Sequence, residues 1–144
     1  MVLGSHGDLM VPLKRSMTVR GTPVTTQLSA AELEQLLQRT KDGGAEIVTL
    51  LKQGSAFYAP ASGVVEMAGA ILRDTHAVLP VCAWLEGEYG LRDVCIGVPV
   101  QLGASGIERI VELELSLEEY RALSASARQV SEGMKGLAAL EAVR

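Results

Sequence analysis

Residues 77–115, AVLPVCAWLEGEYGLRDVCIGVPVQLGASGIERIVELEL, contain three apolar runs that indicate neighbouring β-strands. The runs are AVLPVCAWL, DVCIGVPVQLG and IERIVELEL, and they are rich in the β-branched residues that strands favour. The links EGEYGLR and ASG are too short to contain a crossover helix. The stretch therefore predicts an antiparallel meander of three strands, around which the rest of the chain must pack.

Two helical patterns precede these strands. The sequence Ser29-Ala30-Ala31-Glu32 matches the S-x-x-E capping box, and leucines and isoleucines follow it at helical spacing up to residue 51. Gly43 and Gly44 interrupt this pattern. Because each glycine costs about 1 kcal/mol inside a helix, we expect a kink or a short break there. A second helical pattern runs from Val64 to Leu72, with Pro60 in the first turn of that helix.

Short strands are predicted at the start of the chain and a long helix at its end. Residues 1–25 hold short apolar or alternating runs that end in a turn at Gly21 and Pro23. The stretch 116–119 repeats the capping-box pattern, and an amphipathic helix follows it. We expect one α+β domain over residues 1–144, with long helices packed on a mostly antiparallel sheet and no Rossmann domain.

Composition and charge exclude several classes of protein. The 144 residues carry 13 basic and 17 acidic side chains, with no basic cluster, so we expect no nucleic-acid partner. No run approaches the ~18 apolar residues of a membrane span, and the start MVLGSHG lacks the features of a signal peptide. We therefore expect a cytoplasmic protein without a membrane partner. Cys82 and Cys95 lie in apolar runs, which favours two buried free thiols over a disulfide or a zinc site.

His6 is the sharpest candidate for chemistry. Glycines on both sides of it, Gly4 and Gly7, remove bulk, so a ligand could approach the ring closely. An imidazole with an ordinary pKa of ~6.5 gives and takes a proton near neutrality. The alternative is a histidine that is hydrogen-bonded at a strand end, with the glycines forming a bulge. Asp8 either orients His6 from the same strand face or forms an Asx turn. Composition leaves these alternatives open.

The other candidate groups give weaker signals. His76 lies in the polar turn RDTHAVLP, which is typical of a surface residue. The histidines, cysteines and Asp8 lack the spacing of metal ligands, so no metal site is expected. The glycine-rich segments GGAEIV and LGASGIE do not form a G-x-G-x-x-G turn between a strand and a helix. Neither segment predicts a dinucleotide site.

Several motifs, in one order along the chain, resemble the lactate/malate dehydrogenase family. LGSHGDLMVPL at residues 3–13 is similar to the catalytic-histidine segment of that family, and RTKDGGAEIVTLLKQGSAFYAPASG at 39–63 and LPVCAWLEGEYGLRDVCIGVPVQLG at 79–103 are similar to its later segments. The likeness covers residues 1 to about 140 and is greatest to the lactate-dehydrogenase-like malate dehydrogenases of bacteria. It implies the C-terminal catalytic domain of the family, without the N-terminal dinucleotide-binding domain.

The resemblance assigns roles to five residues. It makes His6 the general acid–base, which protonates the ketone oxygen of oxaloacetate as a hydride arrives from NADH and takes the proton back from malate. Gly4, Ser55 and Ala56 would contact the substrate, a small 2-hydroxy or 2-oxo dicarboxylic acid. Pro60 would contact the nicotinamide ring of NAD. For Ser55 and Ala56, a tight join between two helices is the alternative.

The resemblance also implies groups that this chain does not supply. In the family, the substrate-binding arginines, the aspartate partner of the histidine and the dinucleotide site all precede the HGD segment. We therefore expect an enzyme of the tricarboxylic acid cycle that is inactive as this isolated chain. Its bare apolar surface should favour a homo-oligomer. A lactate-specific enzyme is the alternative substrate assignment, and a non-catalytic stand-alone domain that acts as an assembly module is the alternative function.

Overall fold

The computed structural model describes residues 1–141. A five-stranded antiparallel sheet lies at the centre of the fold. The strands are β1 (Val2–Gly4), β2 (Met10–Pro12), β3 (Thr18–Val19), β4 (Thr22–Pro23), β5 (Ala77–Glu86), β6 (Arg92–Gly103) and β7 (Gly106–Ile110). The helices are α1 (Ala30–Leu51), α2 (Tyr58–Leu72) and α3 (Leu117–Glu141). β6 pairs with β5, β7 and β1, whereas β3 and β4 form a separate hairpin. The α+β fold with an antiparallel sheet is confirmed.

The meander predicted from residues 77–115 is present, but its third strand is shorter than the apolar run. β7 ends at Ile110, and although the Val111 amide still donates to the Pro99 carbonyl of β6 at 2.8 Å, the backbone beyond that amide bonds to a side chain. The Tyr89 hydroxyl donates to the Val111 carbonyl and accepts the Leu113 amide hydrogen, both at 2.9 Å. Residues 112–115 therefore leave the sheet and lead to α3, where the capping box of Ser116 and Glu119 is formed as predicted.

Branched aliphatic side chains that alternate along β6 form the main core. Val94, Ile96, Val98 and Val100 are each at most 1% exposed. The expectation of buried thiols is wrong, because Cys82 and Cys95 occupy the alternate positions of β5 and β6 and are exposed on the other face. An uninterrupted apolar run had concealed the two-residue period of the strand.

Helix α1 runs through Gly43 and Gly44 without interruption, so the predicted short break is wrong. Glycine lowers helix propensity but keeps its backbone N–H and C=O, so the hydrogen-bond ladder continues. An ion pair between Arg39 and Glu46, 2.9 Å apart, spans the two glycines. The Ser29–Glu32 capping box opens the helix as predicted, with the Glu32 amide donating to the Ser29 hydroxyl.

Large apolar side chains are exposed along the second half of α1 and along α2. Val65 is 71% exposed, Leu50 is 73% exposed and Leu72 is 85% exposed. Among residues 117–137 of α3, the buried part of the apolar stripe is its middle, at Leu123 and Ala127. None of the helices described in residues 1–141 is long and apolar enough to cross a membrane.

Candidate active site

His6 lies on the exposed connection between β1 and β2, at the edge of the central sheet. The turn that follows it is closed by a backbone hydrogen bond of 3.0 Å from the Met10 amide to the Gly7 carbonyl. This bond replaces the Asx turn considered for Asp8. The histidine ion pairs found within residues 1–141 both involve His76, so Asp8 does not orient His6. Both His6 and Asp8 are exposed.

Two glycines bring β1 against β6 just before the histidine. Gly4 pairs with Gly97 across the strands. A Cβ on Gly97 would lie 2.6 Å from the Gly4 carbonyl oxygen, closer than real Cβ contacts allow. Gly4 itself has a φ of +90°, a conformation that side chains rarely adopt. The close approach therefore requires glycine at both positions, and it fixes where the His6 segment leaves the sheet.

A buried serine on α3 holds the next residue. The Ser5 amide donates to the Ser126 hydroxyl at 2.7 Å, and that hydroxyl donates to the Ser5 hydroxyl oxygen at 3.0 Å. Ser126 is fully buried. Sequence reasoning missed both Gly97 and Ser126. The signals were present, since a glycine inside a strand indicates close backbone approach and a serine interrupts the apolar stripe of α3.

A cavity of about 490 Å³ opens beside the His6 segment. Gly4 and His6 both line it, so the structure brings these two candidate residues together. Its other walls come from β2, β5, β6 and the middle of α3. No Lys or Arg is among the described residues that line it. The cavity therefore offers an imidazole to a ligand but no cation for a carboxylate.

The bend between α1 and α2 carries the other three candidate residues. Ser55 and Pro60 are exposed and Ala56 is half-buried. Pro60 lies in the first turn of α2, as predicted. None of the three lines the cavity beside His6 in the described part of the chain. The structure therefore does not bring this bend together with the histidine, and the roles of its residues stay predictions.

Cationic side chains are gathered elsewhere. Arg92, Arg121 and Arg128 line a separate groove of about 530 Å³ between the start of β6 and α3. This groove shares no lining residue with the cavity beside His6. These arginines are therefore not positioned to bind a substrate at the imidazole.

His76 is an exposed surface residue, as predicted, and it takes part in an ion-pair cluster. Its Nδ1 lies 2.8 Å from Glu108 Oε2 and its Nε2 lies 3.6 Å from Asp74 Oδ1. The hydrogen bond to Glu108, followed by the negative charges of Asp74 and Glu108, raises the pKa of His76 above its ordinary value. The cluster joins the turn after α2 to the β6–β7 hairpin.

Comparison with known proteins gives a consistent result. Residues 1–141 match the sequence model described as lactate/malate dehydrogenase, alpha/beta C-terminal domain. The chain is 54% identical to malate dehydrogenase of Trichormus variabilis over 135 residues, which are 94% of this chain and 42% of the relative. It is also 54% identical to malate dehydrogenase of Staphylococcus saprophyticus over 137 residues, covering 95% of this chain and 44% of that protein.

Solved structures show the same relationship. The structure of malate dehydrogenase from Salinibacter ruber matches with a TM-score of 0.94 and 45% identity, over 98% of this chain and 46% of that one. Lactate dehydrogenase from Eimeria maxima, crystallised with NADH and oxamate, matches with a TM-score of 0.92 and 38% identity, over 99% and 46%. The chain spans less than half the length of each of these relatives.

Proposed function

The chain belongs to the lactate/malate dehydrogenase family, and from that premise we propose that it is the catalytic domain of an NAD-dependent malate dehydrogenase, with His6 as its general acid–base. The observation that carries the proposal is the placement of His6. An exposed imidazole stands at the rim of a cavity, on a segment fixed by the Gly4–Gly97 approach and by Ser126. Such fixed placement is what proton transfer to a bound substrate requires.

The chemical role of His6 follows from the charge that reduction creates. When the carbonyl of a 2-oxo acid is reduced, negative charge develops on its oxygen. A protonated His6 stabilises that charge and then transfers its proton to the oxygen. In the reverse direction, neutral His6 takes the hydroxyl proton of the 2-hydroxy acid. In this proposal Gly4 leaves room for the substrate beside the ring. Ser55 and Ala56 are proposed as substrate contacts from the family resemblance alone, because they do not line the cavity beside His6.

The described residues do not fit a complete dinucleotide site. Every strand pairing within residues 1–141 is antiparallel, whereas dinucleotide folds hold the pyrophosphate at a glycine-rich turn between a parallel strand and a helix. In the proposal Pro60, exposed and apolar, contacts only the nicotinamide end. The nucleotide must be held by groups outside these residues.

The isolated chain is therefore proposed to be inactive. No cation lines the cavity beside His6 in the described residues, so nothing there clamps the carboxylates of a 2-oxo dicarboxylic acid. Loss of substrate positioning removes on the order of 7–11 kcal/mol of rate enhancement. The proposed substrates are malate and oxaloacetate, because both sequence relatives described above are named malate dehydrogenase.

A fusion protein tests this proposal. The dinucleotide-binding half of the Trichormus variabilis enzyme would be joined before Met1, and NADH oxidation would be measured with oxaloacetate and with pyruvate. We expect turnover by the fusion with oxaloacetate in preference to pyruvate, and none by the chain alone. Turnover by the chain alone would disprove its dependence on a second domain. Because the donor half supplies the substrate-binding arginines, a preference between oxaloacetate and pyruvate would report on that half. A folded, NADH-binding fusion that turns over neither substrate would contradict the proposal.

A further inference from the structure

The two cysteines of the chain meet on the outward face of the sheet. Cys82 Sγ lies 3.1 Å from Cys95 Sγ. In the β5–β6 register Cys82 faces Gly97 and Cys95 faces Trp84, so the two thiols are diagonal neighbours on one face. Because Gly97 has no side chain, nothing opposite Cys82 separates the two sulfur atoms. Folding thus brings the only two thiols of the chain into contact, although they lie 13 residues apart in the sequence.

The pair is accessible and lies beside His6. Both cysteines are exposed, and both line the cavity of about 490 Å³ that His6 also lines. A small reagent that enters this cavity therefore reaches the thiols without unfolding the sheet.

We propose that Cys82 and Cys95 form a reversible dithiol–disulfide site in the wall of the His6 cavity, oxidised by small disulfides of the glutathione-disulfide class. In the first step one protein thiolate attacks the small disulfide, forms a mixed disulfide and releases one glutathione thiolate. The second cysteine then attacks the protein sulfur of that mixed disulfide and releases the second glutathione. The protein loses two S–H hydrogens as protons, its two sulfurs are oxidised, and one glutathione disulfide is reduced to two glutathione thiols.

The geometry favours the second step. A disulfide needs the sulfurs about 2.05 Å apart, so the existing contact must shorten by roughly 1 Å. The partial loss of water around the Cys82 sulfur, followed by its hydrogen bond to Cys95 and the charge of the Cys95 thiolate, raises the pKa of Cys82 to about 11. Since the thiolate is the attacking species, the exchange should become faster as the pH rises.

The test counts thiols on the complete chain. The reduced protein is incubated with glutathione disulfide at pH 8.5, the reagent is removed, and the protein is analysed by intact mass and by thiol titration. We expect two thiols before treatment and none after it, a mass lower by two hydrogens and no glutathione adduct, with dithiothreitol restoring both thiols. Cys82→Ser and Cys95→Ser provide the matched controls, because in each the remaining thiol should keep its glutathione adduct.

Three results would overturn the proposal. They are stable glutathione adducts on the wild-type chain, disulfide-linked dimers in place of the internal bond, and thiols that remain unreactive in the folded protein. The site is independent of the dehydrogenase assignment, because the assay reads the oxidation state of sulfur and requires no turnover.

Discussion

Replacing Ser126 by alanine tests how the His6 segment is held. The substitution removes the acceptor of the Ser5 amide and the donor to the Ser5 hydroxyl. A buried amide that loses its partner costs about 1–3 kcal/mol, whereas alanine gains about 0.5 kcal/mol in helix propensity over serine. We expect Ser126→Ala to lower the free energy of unfolding by about 0.5–2.5 kcal/mol.

Urea unfolding followed by circular dichroism measures this change. With a slope of about 2 kcal/mol per M, the midpoint should fall by roughly 0.3–1.3 M at unchanged slope. Ser124→Ala is the matched control, because Ser124 lies on the same helix at the rim of the arginine groove. This variant should show only the small stabilisation that alanine's higher helix propensity provides. Amide exchange of Ser5 and His6 should also become faster in Ser126→Ala.

A double substitution separates the two bonds. Ser5→Ala removes only the bond between the hydroxyls and should cost less than Ser126→Ala. Adding it to Ser126→Ala should cost little more, because the Ser5 hydroxyl has already lost that partner. If Ser126→Ala proves as stable as Ser124→Ala, the reasoning about this anchor is refuted.

Three further predictions concern the strand contact, the histidine cluster and the bare helices. Gly97→Ala forces a Cβ against the Gly4 carbonyl oxygen and should destabilise the fold by about 1–3 kcal/mol. The control Gly44→Ala, whose Cβ meets nothing within 4 Å, should stabilise it. Equal urea midpoints for the two variants would contradict the close approach of Gly97 to Gly4. Because the pKa of His76 is raised in the folded state, its ion pairs stabilise the fold fully below pH ~6.5, and this stabilisation is lost as the pH rises through the higher folded-state pKa. The difference in unfolding midpoint between wild type and His76→Gln should therefore shrink from pH 5.5 to pH 8.5. A difference that stays constant over this range would contradict the role of the ion pairs. The exposed apolar face of α2 should cause self-association at micromolar concentration that Val65→Lys with Leu72→Lys reduces, and a monomeric wild type in light scattering would be evidence against it.

The architecture was predictable because it depends on local patterns. Apolar runs joined by short links indicated the antiparallel strands, and two S-x-x-E motifs indicated the starts of α1 and α3. The errors have the same origin. Cys82 and Cys95 were assigned to the interior because their runs are apolar throughout, although strand pleating turns alternate residues outward.

The candidate site was only partly predictable, because contacts between distant residues position it. His6 stood out through its flanking glycines, but Ser126 is 121 residues from Ser5 and its role depends on how α3 packs. The close approach of Gly4 and Gly97 likewise depends on the pairing of β1 with β6. A strand end can be recognised in a sequence, whereas the partner that fixes it cannot.

The central claim is that His6 transfers the proton, and the most direct measurement is the turnover number of the fusion protein carrying His6→Asn. Asparagine is polar and of similar width but cannot act as an acid or base near neutral pH. We predict that kcat with oxaloacetate falls by about 10²–10⁴-fold while the affinity for NADH is unchanged. A fusion that keeps its wild-type kcat with asparagine at this position would contradict the assignment of His6 as the general acid–base.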